Sequence, residues 1–276
     1  MATREADWVP AGAWLAPGYA EWAPPAALRG MVACLWASVV PGGADRTTLV
    51  VPDACSDLIW EQGVGAHVAG PDTGPAPTVI KAGTVIVGVR FRPSAGGTAL
   101  GLPLSEIRDQ RVDLADLLPA AARRLPPTLS PAEAAARTLD VAGALVADAG
   151  SDLAATRAAA LLRDPAARTE AVAADVGLSE RQLRRRVQAA AGYGPKTLQR
   201  VLRFQRFVRM LDAAAQPPGL ASAAATAGYA DQAHLTRECS ALSGLTPTAL
   251  ASARHALERS GVGGFGDHGG ADLAEP

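Results

Sequence analysis

The chain has 276 residues, enough for two ordinary domains, and 49 % apolar against 19 % charged residues fits a soluble globular protein with a sizeable core. No run reads as a membrane span: the longest uncharged stretch, Ala213 to Ala230, is broken by Pro217-Pro218. Three cysteines, none in a C-x-x-C pair, argue against a disulfide framework or a zinc cluster.

From the start, Arg4, Glu5 and Asp7 with no apolar segment give no secretory signal, so a reducing cytoplasm is the expected compartment. Residues 1 to about 103 read as mainly β. The runs Met31–Val40, Thr47–Val51, Leu58–Trp60 and Thr84–Phe91 are separated by Pro- and Gly-containing turns such as Pro41-Gly-Gly43 and Pro52-Asp53. In the last run Val85, Val87, Val89 and Phe91 share one face, while Ile86, Arg90 and Arg92 turn to the other. Short strands with dense turns predict a small barrel or sandwich. Trp36, Asp53, Asp57, Trp60, Arg90 and Arg92 form a candidate effector pocket within it. The competing reading pairs the arginines with Asp53 or Asp57 to hold the β domain and puts the tryptophans in its core. One histidine, His67, is too few for a metal site, and no metal or cofactor is expected. No nucleophile–base pair, P-loop or dinucleotide fingerprint occurs, so no enzyme is expected.

Helical spacing begins near Leu104. Ser130-Pro131 with Glu133 marks a helix start, and Ser151–Arg163 leads into a wholly helical region that ends near Leu257. Six glycines in Gly261–Pro276 predict a disordered tail. The expected divisions are a β-rich domain at 1–125, a linking helix at 126–150, a wholly helical domain at 151–257 and the tail at 258–276.

Within the helical region one pattern occurs twice. Leu183 and Leu235 are 52 residues apart, and the same offset relates Arg185 to Arg237, Gly192 to Gly244 and Pro195 to Pro247. In the first copy a short helix ends at Gly177, a left-handed turn residue, and Ser179 with Gln182 makes a capping box. With Leu183 at 0° and about 100° per residue, Val187 and Ala190 face inward, while Arg181 (about 160°) and Arg185 (about 200°) face out. In the second copy Asp231 is the cap, Leu235 and Cys239 face inward, and Ala233 and Arg237 face out. Between the copies, Pro195–Leu211 predicts a long helix of about 24 Å, a rigid spacer suited to holding two reading helices about one DNA turn (~34 Å) apart.

Charge agrees with that reading. Residues 163–209 hold 11 basic and four acidic side chains, a local +7 that leaves −8 for the rest of a chain of net charge −1. A basic module on an acidic protein is the footprint of a nucleic-acid partner.

The pieces Gly177-Leu-Ser179, Leu183-Arg-Arg185, Gly192-Tyr-Gly-Pro195, Gly228-Tyr229, Leu235-Thr-Arg237 and Gly244-Leu-Thr-Pro247 resemble the AraC/XylS family of bacterial transcription regulators. Val187 and Cys239 depart from it, standing where the family usually has Phe. The resemblance implies an all-α C-terminal domain whose two helix-turn-helix units, joined by a long helix, read adjacent major grooves of double-stranded DNA. By position it implies DNA contacts from Arg181, Gln182, Arg184 and Arg185, and from Gln232, His234 and Arg237. The N-terminal pieces Leu49-Val-Val-Pro-Asp53, Asp57-Leu-Ile-Trp60, Val68-Ala-Gly-Pro71, Val87-Gly-Val-Arg-Phe-Arg-Pro93 and Leu100-Gly-Leu-Pro103 are similar to the β-rich companion domain of one branch of the family. In relatives the corresponding domain is a cupin-like barrel that senses a small molecule or dimerises, so the whole reads as α+β. A small-molecule effector and RNA polymerase are further expected partners, and the protein is expected as a monomer or homodimer. Two readings compete: a DNA-repair-type enzyme fused to such a domain, for which Cys34 and Cys55 are too few thiols, and an interaction module without DNA binding.

Overall fold

The computed structural model describes residues 17–150, 152–213 and 219–259. Strands β1 (Gly18–Trp22), β2 (Val32–Val39), β4 (Ser56–Glu61), β5 (Gly65–Ala69), β7 (Val85–Phe91) and β8 (Arg111–Asp113) form one antiparallel sheet in the order β1-β2-β7-β4-β5-β8. β3 (Arg46–Val50) and β6 (Ala76–Ile80) pair as a separate two-stranded ribbon.

Both faces of the sheet are covered, which is why every residue of β7 is buried. On one face Leu35, Leu58, Trp60, Val87, Val89 and Phe91 pack with Ala134, Ala135, Val141 and Ala142 of helix α4 (Pro131–Asp148). On the other Cys34, Trp36, Ile59 and Ile86 pack with Ile80 of the ribbon. Gly88 makes room for this second layer: a methyl there would collide with the Trp36 indole. Between β7 and β8 the chain makes the short helix α1 (Gly96–Leu100), and between β8 and α4 the short helices α2 (Leu114–Leu117) and α3 (Pro119–Ala122). The segment expected to link the two halves is thus α4, started by the Ser130–Glu133 capping box and lying on the sheet as part of the N-terminal core.

The C-terminal half contains α5 (Leu153–Leu161), α6 (Thr169–Asp175), α7 (Glu180–Ala191), α8 (Pro195–Ala213), α9 (Leu220–Ala227), α10 (Gln232–Ser243) and α11 (Pro247–Arg259). Its core gathers Leu183 and Val187 from α7, Val201, Phe204, Phe207 and Val208 from α8, and Leu235 and Cys239 from α10. Val187 and Cys239 are both fully buried, and two phenylalanines of α8 supply bulk beside them. The tail expected from residue 258 starts inside α11, and residues 260–276 lie outside the described residues.

Candidate nucleic-acid interface

Helices α7 and α10 each start at a sharp turn. α6 gives way to α7 through Gly177, at φ +68°, and α9 to α10 through Gly228, at φ +89°. At the head of α7 the Ser179 hydroxyl accepts from the backbone of Gln182, whose side-chain Oε1 accepts from the Ser179 amide at 2.9 Å. At the head of α10 Asp231 Oδ1 accepts from the His234 amide at 2.6 Å. These caps satisfy donors that a helix start otherwise leaves unbonded. Both helices end at a left-handed glycine, Gly192 and Gly244.

The buried stripe of α7 is Leu183, Val187, Ala190 and Ala191, which leaves Arg181, Gln182, Arg184 and Arg185 exposed. On α10 Leu235, Cys239, Leu242 and Ser243 are buried, and Gln232, Ala233 and Arg237 are exposed. Two of the expected contacts are partly committed to the fold. Gln182 spends its carbonyl oxygen on the cap. His234 is half-buried, with its ring edge-on to Tyr229 at 5.2 Å and Nδ1 accepting from the Ala230 amide.

The arginines fall into two sets. Arg157 pairs with Asp175, Arg186 with Asp152, Arg200 with Glu238 and Arg254 with Asp212. Arg203 lies over the Tyr229 ring, 5.5 Å from its centre, and Arg206 donates to the Arg163 carbonyl. These ties brace the helices against one another. Arg181, Arg184, Arg185 and Arg237 make no ion pair among the described residues and stand on the outer faces of α7 and α10. Guanidinium groups left unpaired on the N-terminal halves of capped helices suit the paired acceptors O6 and N7 of guanine, or phosphate oxygens. Between the two units Arg168, Lys196, Arg200, Arg203 and His234 line an open groove with Glu170 and Glu238. The basic stretch of the sequence was the only signal for its lysine and Arg168.

In the N-terminal half the six residues proposed as a pocket separate. Trp36 Nε1 donates to Asp57 Oδ1 at 2.7 Å, and Arg90 Nε lies 3.1 Å from the same oxygen and 3.5 Å from Asp53 Oδ2. Arg90 Nη1 also meets Glu21 Oε1 at 3.3 Å, and its side chain is 4 % exposed. Glu21 was missed, because β1 gave no strand signal. Burial pushes the Asp57 carboxyl up from the ordinary range, against the opposing pull of Arg90. Burial also raises the Cys34 and Cys55 thiols, which disfavours their thiolate forms. Trp60 sits on the opposite face of the sheet and donates to the Pro126 carbonyl. Arg92 lies past the end of β7 and donates to the Arg29 carbonyl. Neither belongs to the cluster. Among the described residues no group of three His, Cys, Asp or Glu side chains could hold a metal ion, and no helix is long and apolar enough to cross a membrane.

Residues 172–253 match the family model of a helix-turn-helix domain, and residues 20–113 match that of a domain of unknown function. No match was found among curated proteins. Among solved structures, a probable AraC family transcriptional regulator from Rhodopseudomonas palustris is 21 % identical over 36 % of this chain and 95 % of its own, with a TM-score of 0.33. ToxT from Vibrio cholerae is 9 % identical over 79 % of this chain and 97 % of its own, with a TM-score of 0.42. The unsaturated-fatty-acid-bound form of ToxT is 10 % identical over 79 % of this chain and 94 % of its own, with a TM-score of 0.41.

Proposed function

We propose, from the premise that the C-terminal half is an AraC-type helix-turn-helix domain and the chain a DNA-binding transcription regulator, that α7 and α10 read adjacent major grooves of one operator. The observation that carries this is the sorting of the arginines. Those that brace the fold are paired, while Arg181, Arg184, Arg185 and Arg237 are held out from two capped helices without an acid to neutralise them. A recognition helix enters the groove by its N-terminal half, and Arg181 and Arg185 occupy that half of α7. Arg237 is the one arginine that α10 offers in the same way, so the first unit reads more bases than the second. Gln182, Arg184, Gln232 and His234 flank these and steady the helices on the backbone. The protein acts as a regulator without a reaction of its own, in the cytoplasm.

The N-terminal sheet is the regulatory half and the place for a small-molecule effector, with Asp53, Asp57, Arg90 and Trp36 as its polar centre. Trp60 and Arg92 have no part in that centre. A mobility-shift titration of the full chain against DNA from upstream of its own gene, at rising salt, tests the reading. Binding that tightens on one fragment over unrelated DNA and weakens steeply with salt supports it. Equal affinity for every fragment contradicts it.

A further inference from the structure

The two halves touch at several places, with α1 and residues 104–106 against α7 and Pro71 against Gly192; at a further one a turn of the N-terminal half reaches into the helical core. Val51 and Ala54 are 4 % and 1 % exposed and pack in the cluster built by α7, α8 and α10, not in either core of the sheet. Between them the Pro52 carbonyl accepts from Gln205 Nε2 at 2.6 Å, and Gln205, in the middle of α8, is 2 % exposed. At the same turn Asp53 Oδ2 faces Arg90 Nε at 3.5 Å and its Oδ1 accepts from the Cys55 amide at 2.8 Å. Ala54 stands at φ +68°, a conformation that a side chain with a Cβ rarely adopts and that persists only where its surroundings hold it. The turn is thus pinned from both sides. The charge network of the sheet grips Asp53, and the helix spacing the two reading units grips its neighbours.

We propose that Val51–Ala54 is a coupling strut, through which the Asp53–Arg90–Asp57 network and helix α8 hold each other in position. Gln205 and Asp53 are its positioning residues, since neither lies on a DNA-reading face. Any effector that rearranges the network around Arg90 then displaces the turn, and the helix that sets the spacing of α7 and α10 moves with it. Coupling of this kind is reciprocal by thermodynamic necessity. The strut itself is independent of DNA, and only its consequence for affinity rests on the function proposed above.

Hydrogen exchange on the full chain tests it, comparing the unaltered protein with Asp53→Asn, Gln205→Ala and Leu125→Ala. Asp53→Asn is expected to speed exchange of α8 amides around residues 201–208 at least tenfold. Gln205→Ala is expected to do the same in β4 and β7 around Asp57 and Arg90. Leu125, in the core on the far side of the sheet, is the control, and Leu125→Ala should loosen the N-terminal half while leaving α8 protected. The proposal is overturned if Asp53→Asn and Gln205→Ala each act only in their own half, or if Leu125→Ala loosens α8 equally. Should Asp53→Asn fail to fold, Gln205→Ala carries the test alone. In DNA titrations the Asp53 and Gln205 substitutions should each weaken binding at least threefold, and less than multiplicatively together. A chain that binds no DNA contradicts the functional reading, while the exchange result still decides the strut.

Discussion

Arg200 Nε lies 2.5 Å from Glu238 Oε2, so the helix between the two reading units is tied by a charged hydrogen bond to the second reading helix. Together with Arg203 over Tyr229, this fastens the second unit to α8. A basic residue in a DNA-binding domain is readily assigned to phosphate. Here the carboxylate already occupies that place.

Arg200→Ala should therefore lower the melting temperature and cost at most about 1 kcal/mol, the range of partly exposed ion pairs. It should leave the slope of log Kd against log salt unchanged. Lys196→Ala, which removes an exposed charge in the groove between the units, should reduce that slope by about 1. Titrations at four salt concentrations separate the two; a reduced slope for Arg200→Ala would make it a phosphate contact.

The left-handed glycines differ in what surrounds them. Gly177, at φ +68°, has open space where a Cβ would go, whereas at Gly192, at φ +84°, a Cβ would collide with the Pro71 ring of the N-terminal half. Gly177→Ala should cost about 1 kcal/mol, for conformation alone. Gly192→Ala should cost more, about 2–4 kcal/mol, because conformational strain and the clash across the junction add. Urea unfolding measures both, and equal losses would mean that the junction gives way freely.

In the sheet, Arg90→Met leaves Asp57, Asp53 and Glu21 facing one another without their cation. Loss of one partner from a buried ion network costs about 3–5 kcal/mol. Arg92→Ala removes one hydrogen bond to a carbonyl at the surface and should cost less than about 1.5 kcal/mol. Similar losses for the two would deny the network its structural weight.

Burial, with Arg111 nearby, holds the His67 imidazole below its ordinary range against the weaker pull of Asp113. The folded protein thus binds this proton less tightly than the unfolded chain. The contribution of His67 to stability is complete above the ordinary histidine pKa of about 6.5 and falls as the pH drops through it. Melting temperatures at pH 5.5 and 7.5 should differ less in His67→Gln than in the unaltered chain; an identical pH dependence would exclude His67 as a source.

Much of the helical half was legible because a helix repeats its burial every three to four residues. Leu183, Val187 and Ala190 could be placed inward by angle alone, and Ser179, Asp231 and the closing glycines carried their own capping chemistry. The strands rich in β-branched residues were legible too, whereas β5, with Gly65 and two alanines, and β8, three residues long, carry too little pattern. Trp60 separates from the rest of the candidate pocket on parity. Asp57 and Trp60 are three apart on β4, so a period of two sends them to opposite faces. Of the strut, the pairing of Asp53 with an arginine was legible, but its docking was not, since Pro52-Asp53 reads as an ordinary turn and nothing in the sequence singles out Gln205. Only the docking of a segment 153 residues distant from Gln205 gives either its role.

Selection of preferred sites from random DNA, run on the unaltered chain and on Arg181→Ala, Arg185→Ala and Arg237→Ala, tests two-groove reading most directly. The unaltered chain should select two half-sites centred about one helical turn, ~10 base pairs, apart. Arg181→Ala and Arg185→Ala should relax preference in one half-site and Arg237→Ala in the other, each losing about 1–3 kcal/mol of discrimination at the guanine it reads. Uniform loss of affinity with an unchanged site preference in all three would show that these arginines only hold the backbone, and would contradict base reading by α7 and α10.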